Sequence, residues 1–124
     1  MSKIVIIGAG AMGTAFSLPC LDNNHDVTIV GTHLENDFID TFKNNNNFHP
    51  GLNTKIPHEI KVSKFDKFDD LIKLNVDLLV LGISSKGIEW VADQLSKLYQ
   101  NKKIPDLLML TKGLSIHNNK YELL

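Results

Sequence analysis

A strand-like run of four apolar residues, Ile4-Val5-Ile6-Ile7, passes straight into Gly8-Ala9-Gly10-Ala11-Met12-Gly13-Thr14, and no other feature restricts the possible folds as tightly. The pattern G-x-G-x-x-G stands where a strand should end and a helix begin, and there each glycine has a separate physical job. Gly8 permits the tight turn out of the strand. Gly10 has no Cβ, so a pyrophosphate can approach the backbone. Gly13 lets the new helix lie close to the sheet. The helix start then offers unpaired N–H groups and a positive dipole end, both suited to phosphate oxygens.

The rest of the chain alternates strand and helix. Residues 3–7 read as a strand, 11–22 as a helix bent by the internal Pro19, and 26–30 as a second strand after the stop at Asn23-Asn24. A second helix is expected over about 34–43, with Phe38, Ile39 and Phe42 on one face. An Asn-, Pro- and Gly-rich loop fills 44–57. A short strand is expected at 59–62, a short helix at 65–74, and a strongly apolar strand at 77–83, of the kind buried on both faces. An amphipathic helix follows over 87–99, with Ile88, Val91, Ala92 and Leu95 inward, and then a strand at 107–110. Such alternation implies an α/β domain of the Rossmann type, with a doubly wound, mainly parallel sheet. The chain ends on Tyr121-Glu122-Leu123-Leu124, an apolar end without a C-cap. That end reads as an interrupted helix, and the sheet as incomplete at its C-terminal side.

Composition narrows the partners. At 124 residues the chain is one domain, able to bury about two-thirds of its unfolded surface. A net charge of -1 gives no electrostatic case for nucleic acid or an anionic membrane. No stretch approaches the roughly 20 apolar residues that span a bilayer, and a core strand opens the chain, so a cytoplasmic protein is expected. The single cysteine, Cys20, falls on the apolar face of the first helix and reads as packing. Every basic side chain is lysine, so no guanidinium fork is available for a phosphate.

Ligands of open α/β sheets sit beyond the carboxyl ends of the strands. Three segments besides the glycine loop occupy such ends. After the second strand come Gly31-Thr32-His33, where a strict NAD enzyme usually carries an acidic residue for the ribose 2′-OH. The first carboxylate here is Glu35, expected inside the next helix, so NADP becomes permissible and Thr32 and His33 could each donate to its 2′-phosphate. Alternatively both simply start the helix, with Thr32 as its cap. After the apolar strand come Ser84-Ser85, readable as an ordinary N-cap or as a turn along the cofactor. The last strand leads into Lys112, whose ammonium could hold an anionic substrate or an oxygen changing charge. The histidines read as structural: His25 in a turn, His58 and His117 on surface segments, and His49 shaping the loop before Pro50-Gly51. None pairs at ligand spacing, so no metal site is expected.

The glycine fingerprint, the His49-Pro50-Gly51 loop, the strand into Gly82-Ile83-Ser84-Ser85 and the segment Leu110-Thr111-Lys112-Gly113-Leu114 occur together in this order. Jointly they resemble the N-terminal domain of NAD(P)-dependent glycerol-3-phosphate dehydrogenase, over essentially the whole chain. The resemblance implies hydride exchange between a nicotinamide and the pair glycerol 3-phosphate and dihydroxyacetone phosphate, serving phospholipid synthesis. It implies that Gly8, Gly10, Ala11, Met12 and Gly13 line the pyrophosphate, that Thr32 and His33 lie near the adenosine ribose and Ser84 beside the cofactor, and that Lys112 contacts cofactor and substrate. It places the catalytic base in a C-terminal domain with no counterpart in these residues, and it allows a homodimer of the full-length enzyme. Met12, Ser84 and Gly87 depart from the family, which often has an aromatic, a proline and a larger residue there. Two other readings share the fingerprint: a two-domain reductase of ketopantoate or 3-hydroxyacid type, and a non-catalytic NAD(H)-sensing module.

Overall fold

The computed structural model describes residues 2–100 and 102–110 throughout, and 114–117 and 120–123 as backbone. Its order begins β1 (Lys3–Ile7), α1 (Ala11–Asp22), β2 (Asp26–Val30), α2 (Asn36–Asn44) and a two-residue-per-strand hairpin, β3 (Phe48–His49) with β4 (Thr54–Lys55). It continues with β5 (Lys61–Ser63), a 3-10 turn, α3 (Phe68–Ile72), β6 (Leu78–Leu81), a second 3-10 turn, α4 (Ile88–Leu98) and β7 (Asp106–Met109). The main sheet is parallel in the order β5-β2-β1-β6-β7. The chain thus winds outward one way from β1 to β5, then returns past β1 and winds the other way. The winding of the chain reverses between β1 and β6, which is where such folds open a ligand crevice.

Alternation along the strands explains the two layers, because successive side chains leave opposite faces. Ile4, Ile6, Val27, Ile29 and Val80 face the layer containing Cys20, Ile39 and Phe42 of α1 and α2. Val5, Ile7, Leu79 and Leu81 face Phe68, Ile72, Val91 and Leu95 of α3 and α4. Cys20 is a buried free thiol, and its burial pushes its pKa up, so it stays protonated and packs as a small apolar group. Pro19 lies inside α1, and the helix stops at Asn23, with Asn24 in the left-handed region at φ 63°.

Two sequence expectations change, Ala92 and the C-terminal end. Ala92 is exposed, because the buried stripe of α4 runs through Val91 and Leu95 and leaves residue 92 on its flank. β7 is the edge strand at one end of the sheet, with Leu107, Leu108 and Met109 exposed. Of Tyr121-Glu122-Leu123-Leu124, expected in an interrupted helix, the first three belong to β9 (Lys120–Leu123), antiparallel to β8 (Leu114–His117), and Leu124 lies outside the described residues. Four residues cannot sustain a helix on their own, whereas pairing puts Tyr121 opposite Ile116 and supplies backbone partners at once.

Lys3 Nζ lies 2.9 Å from Asp26 Oδ2, and Lys61 Nζ lies 3.4 Å from Oδ1, clamping the amino ends of three adjacent strands. The Lys3 hydrogen bond, aided by the charges of Lys3 and Lys61 and opposed by burial, holds the Asp26 carboxyl below the usual carboxylate range. A depressed folded-state pKa gives stability that is complete above the unfolded value, about 3.9, and lost as pH falls below it. Asp26→Asn should cost on the order of 1 kcal/mol at neutral pH and flatten the decline in urea midpoint between pH 5 and pH 3. An undiminished decline in the variant would exclude Asp26 as a source of the acid sensitivity.

Candidate functional site

A cleft of about 660 Å³ opens where β1, β2 and β6 end, with Gly8, Gly10, Thr32, His33, Gly82 and Ser84 among its lining. The size suits a small-molecule site, for which about 300–1,000 Å³ is usual. A second hollow, of about 460 Å³, lies at the opposite end of the sheet near Asp77 and Asp106, where β6 and β7 begin.

The glycines divide sharply. Gly8 has φ +116°, and a Cβ there would stand 2.2 Å from the carbonyl oxygen of Gly82. A Cβ on Gly13 would stand 2.7 Å from Gly8 O, and one on Gly82 2.8 Å from Gly13 Cα. Three backbones therefore meet where only hydrogen fits, which brings α1 down against β1 and β6. Gly10 is different: a Cβ there would meet nothing within 4 Å. Gly10 is exposed, as are Ala11 and Met12, the latter at 37%. Gly10 is also the N-cap of α1, without a side-chain cap hydrogen bond, and lines the cleft, so the first-turn N–H groups of α1, which have no acceptor within the helix, start at the cleft's edge with no capping side chain over them.

Two side chains from elsewhere fix this loop. His49 is 3% exposed; its Nδ1 accepts from Gly51 N–H at 3.1 Å, and its Nε2 lies 2.8 Å from Ala9 O. With Nδ1 accepting, Nε2 carries the proton and donates to the carbonyl. The β3–β4 hairpin thus does more than shape itself: it hangs the glycine loop from an imidazole packed edge-on against Phe38 and Phe42. The second is Glu35. It is the N-cap of α2 rather than a residue within it, because its carboxylate is engaged backward. Oε1 accepts from Thr32 N–H at 2.8 Å and from Ala9 N–H at 3.1 Å. Thr32 does not cap α2; its carbonyl and hydroxyl instead close a turn one step earlier, accepting from Glu35 N–H and Leu34 N–H. The acidic residue absent directly after β2 is thereby restored to the cleft wall, since Glu35 lines it. The spacing Thr-x-x-Glu was the available signal, a pattern in which the Glu reaches back to the first N–H.

Of the remaining candidates, Ser84 and His33 line the cleft and are exposed. Ser84 is the N-cap of the 3-10 turn Ser85–Gly87 that runs into α4, without a side-chain cap hydrogen bond, and Gly87 is the N-cap of α4 itself. Lys112 lies outside the described residues. Sequence reasoning missed Lys86 and Trp90, which line the cleft with Gly82 and Gly87. Among the described residues no three His, Cys, Asp or Glu side chains gather as a metal site, and no helix is long and apolar enough to cross a membrane.

A doubly wound parallel sheet whose first strand turns through glycines into an open helix start, with a cleft at the point of reversal, defines the class of α/β dinucleotide-binding domains. Within that class, the chain belongs to the family of the NAD-dependent glycerol-3-phosphate dehydrogenase N-terminus, whose model matches residues 3–124. The chain is 28% identical over 116 residues to the NADP(+)-dependent glycerol-3-phosphate dehydrogenase of Archaeoglobus fulgidus, covering 94% of this chain and 33% of that protein. It is 39% identical over 98 residues to a Bacillus thuringiensis glycerol-3-phosphate dehydrogenase [NAD(P)+], covering 78% of this chain and 27% of that one. The crystal structure of glycerol-3-phosphate dehydrogenase from Coxiella burnetii superposes with a TM-score of 0.71 at 23% identity, over 92% of this chain and 33% of that one. The chain spans a third or less of the length of these relatives.

Proposed function

We propose that this chain is the cofactor-binding part of a glycerol-3-phosphate dehydrogenase, taking a nicotinamide dinucleotide in the cleft between β1, β2 and β6. The observation that carries the reading is the uncovered start of α1 behind an open Gly10. The N–H groups of Ala11, Met12 and Gly13, with the helix dipole, would hold the pyrophosphate. Gly8 supplies the turn. Thr32 and His33 would flank the adenosine ribose and Ser84 the nicotinamide side. The bound nicotinamide supplies or accepts the hydride that interconverts dihydroxyacetone phosphate and glycerol 3-phosphate. Lys112, following the last strand of the sheet, would meet both cofactor and phosphorylated substrate. The base would come from residues outside this chain, as would most contacts to the substrate phosphate. A homodimer of the whole enzyme and a cytoplasmic location fit this role.

The cofactor is NAD(H) or NADP(H), and Glu35 weights the choice toward NAD(H), because a carboxylate at the ribose end of the cleft repels a 2′-phosphate. Titrating the chain with NADH and NADPH should show saturable binding, with NADH at least tenfold tighter, about 1.4 kcal/mol. Equal affinities would remove the role given to Glu35, and no saturable binding of either would remove the cofactor reading. Reduction of dihydroxyacetone phosphate by the chain alone would refute the placement of the base elsewhere.

A further inference from the structure

Three side chains from separate parts of the chain converge on Ala9, the residue between the first two glycines of the loop. Its N–H donates to Glu35 Oε1 at 3.1 Å. Its carbonyl oxygen accepts from Thr14 Oγ1 at 3.2 Å and lies 2.8 Å from His49 Nε2. Ala9, Thr14 and His49 are all buried. The hairpin that carries His49 lies against the start of α1: a Cβ on Gly51 would stand 3.1 Å from the His49 ring and 3.3 Å from Ala11 Cβ. Of the amides in Gly8-Ala9-Gly10, the first donates to Val30 O at 2.8 Å and the second to Glu35. The third, Gly10 N–H, has no partner among the described residues.

From this arrangement we infer that His49 is a positioning residue, which sets the direction of the Gly10 N–H from the β3–β4 hairpin. The inference rests on the dinucleotide reading and adds to it a side chain that never touches the ligand. The carbonyl of Ala9 and the N–H of Gly10 belong to one trans peptide, so they lie in one plane and point opposite ways. Holding the carbonyl on the buried side turns the N–H toward the side where Gly10 is exposed, at the edge of the cleft. Glycine leaves its neighbouring peptide the widest choice of orientation, and a rotated peptide would withdraw one donor from the phosphate oxygens. Thr14 belongs to the helix that the loop begins, so its bond moves with the loop. His49 ties the same carbonyl to a hairpin 40 residues away, packed on Phe38 and Phe42 of α2. Its hold therefore comes from outside both loop and helix.

Two substitutions divide the imidazole's bonds between them. Gln carries its amide nitrogen at the reach of Nε2 and keeps the donation to Ala9 O. Asn carries its amide oxygen at the place of Nδ1 and keeps only the acceptance from Gly51 N–H. His49→Gln should bind NADH within about threefold of wild type, whereas His49→Asn should bind about tenfold more weakly. A histidine that served stability alone would lower the urea midpoint of both variants and leave their NADH affinities equal. The Gly10 amide resonance, followed by nuclear magnetic resonance, should move when NADH is added to the wild type. In His49→Asn it should already be displaced before any ligand is added. Equal NADH affinities for the two variants would overturn the role of His49. So would a Gly10 resonance that NADH leaves in place although it binds the wild-type chain. A wild-type chain that binds no NADH would instead overturn the cofactor reading beneath it.

Discussion

Gly8→Ala is expected to destabilise the chain by about 3 kcal/mol or more, a large share of the roughly 5–15 kcal/mol that keeps a small domain folded. Two penalties act together. The backbone at Gly8 stands at φ +116°, a conformation that costs an L-residue about 1–3 kcal/mol. The added methyl would also stand 2.2 Å from Gly82 O and 2.8 Å from Gly82 C. Those atoms belong to the backbone at the end of β6, where Gly82 N–H donates to Ile7 O at 2.8 Å. The strand can yield only by breaking the sheet at its point of reversal. Urea unfolding measures the effect directly. A variant within about 1 kcal/mol of wild type would show that the turn relaxes cheaply and that the contact among three glycines is not a constraint.

Gly10→Val should do the reverse, leaving the fold nearly untouched while removing ligand binding. Its backbone, φ -69° and ψ 178°, is ordinary extended chain that valine adopts without strain, and its Cβ would project into open space. The change in stability should stay within about 1 kcal/mol, since the only local loss is a glycine at an N-cap. Two γ-methyl groups over the start of α1 would, however, hold a pyrophosphate away from the N–H groups that grip it. NADH affinity should fall by about a hundredfold, near 2.7 kcal/mol. Binding that survives Gly10→Val would mean that the phosphates do not lie over Gly10. Together the two variants separate a glycine that the fold needs from one that the ligand needs.

The legible part of the site was the part written in consecutive residues. The turn from Ile7 into α1, the placing of Thr32 and His33 after β2, and the placing of Ser84 after β6 all follow from strand ends, which apolar periodicity locates well. Glu35 was misjudged because helix boundaries are soft, and a carboxylate one position outside a helix can turn back to main-chain N–H groups that periodicity does not see. Lys86 and Trp90 were invisible for a related reason. On a helical wheel Trp90 is merely another bulky residue near the apolar stripe of α4, and nothing nearby says that His33 will meet it.

From sequence alone came the alternation of strands and helices, the double winding of the sheet and the glycine turn, all of which depend on preferences acting over a few neighbouring residues. Tertiary structure decided the contacts that give the cleft its shape. Ala9 bonds to His49 across 40 residues and to Glu35 across 26, Gly13 nests against Gly82, and His33 lies on Trp90. Such contacts exist only once strand register and crossover direction are set, because a shift of one residue in the pairing turns a side chain to the opposite face of the sheet. Local propensity is identical before and after that shift, so it cannot carry the information.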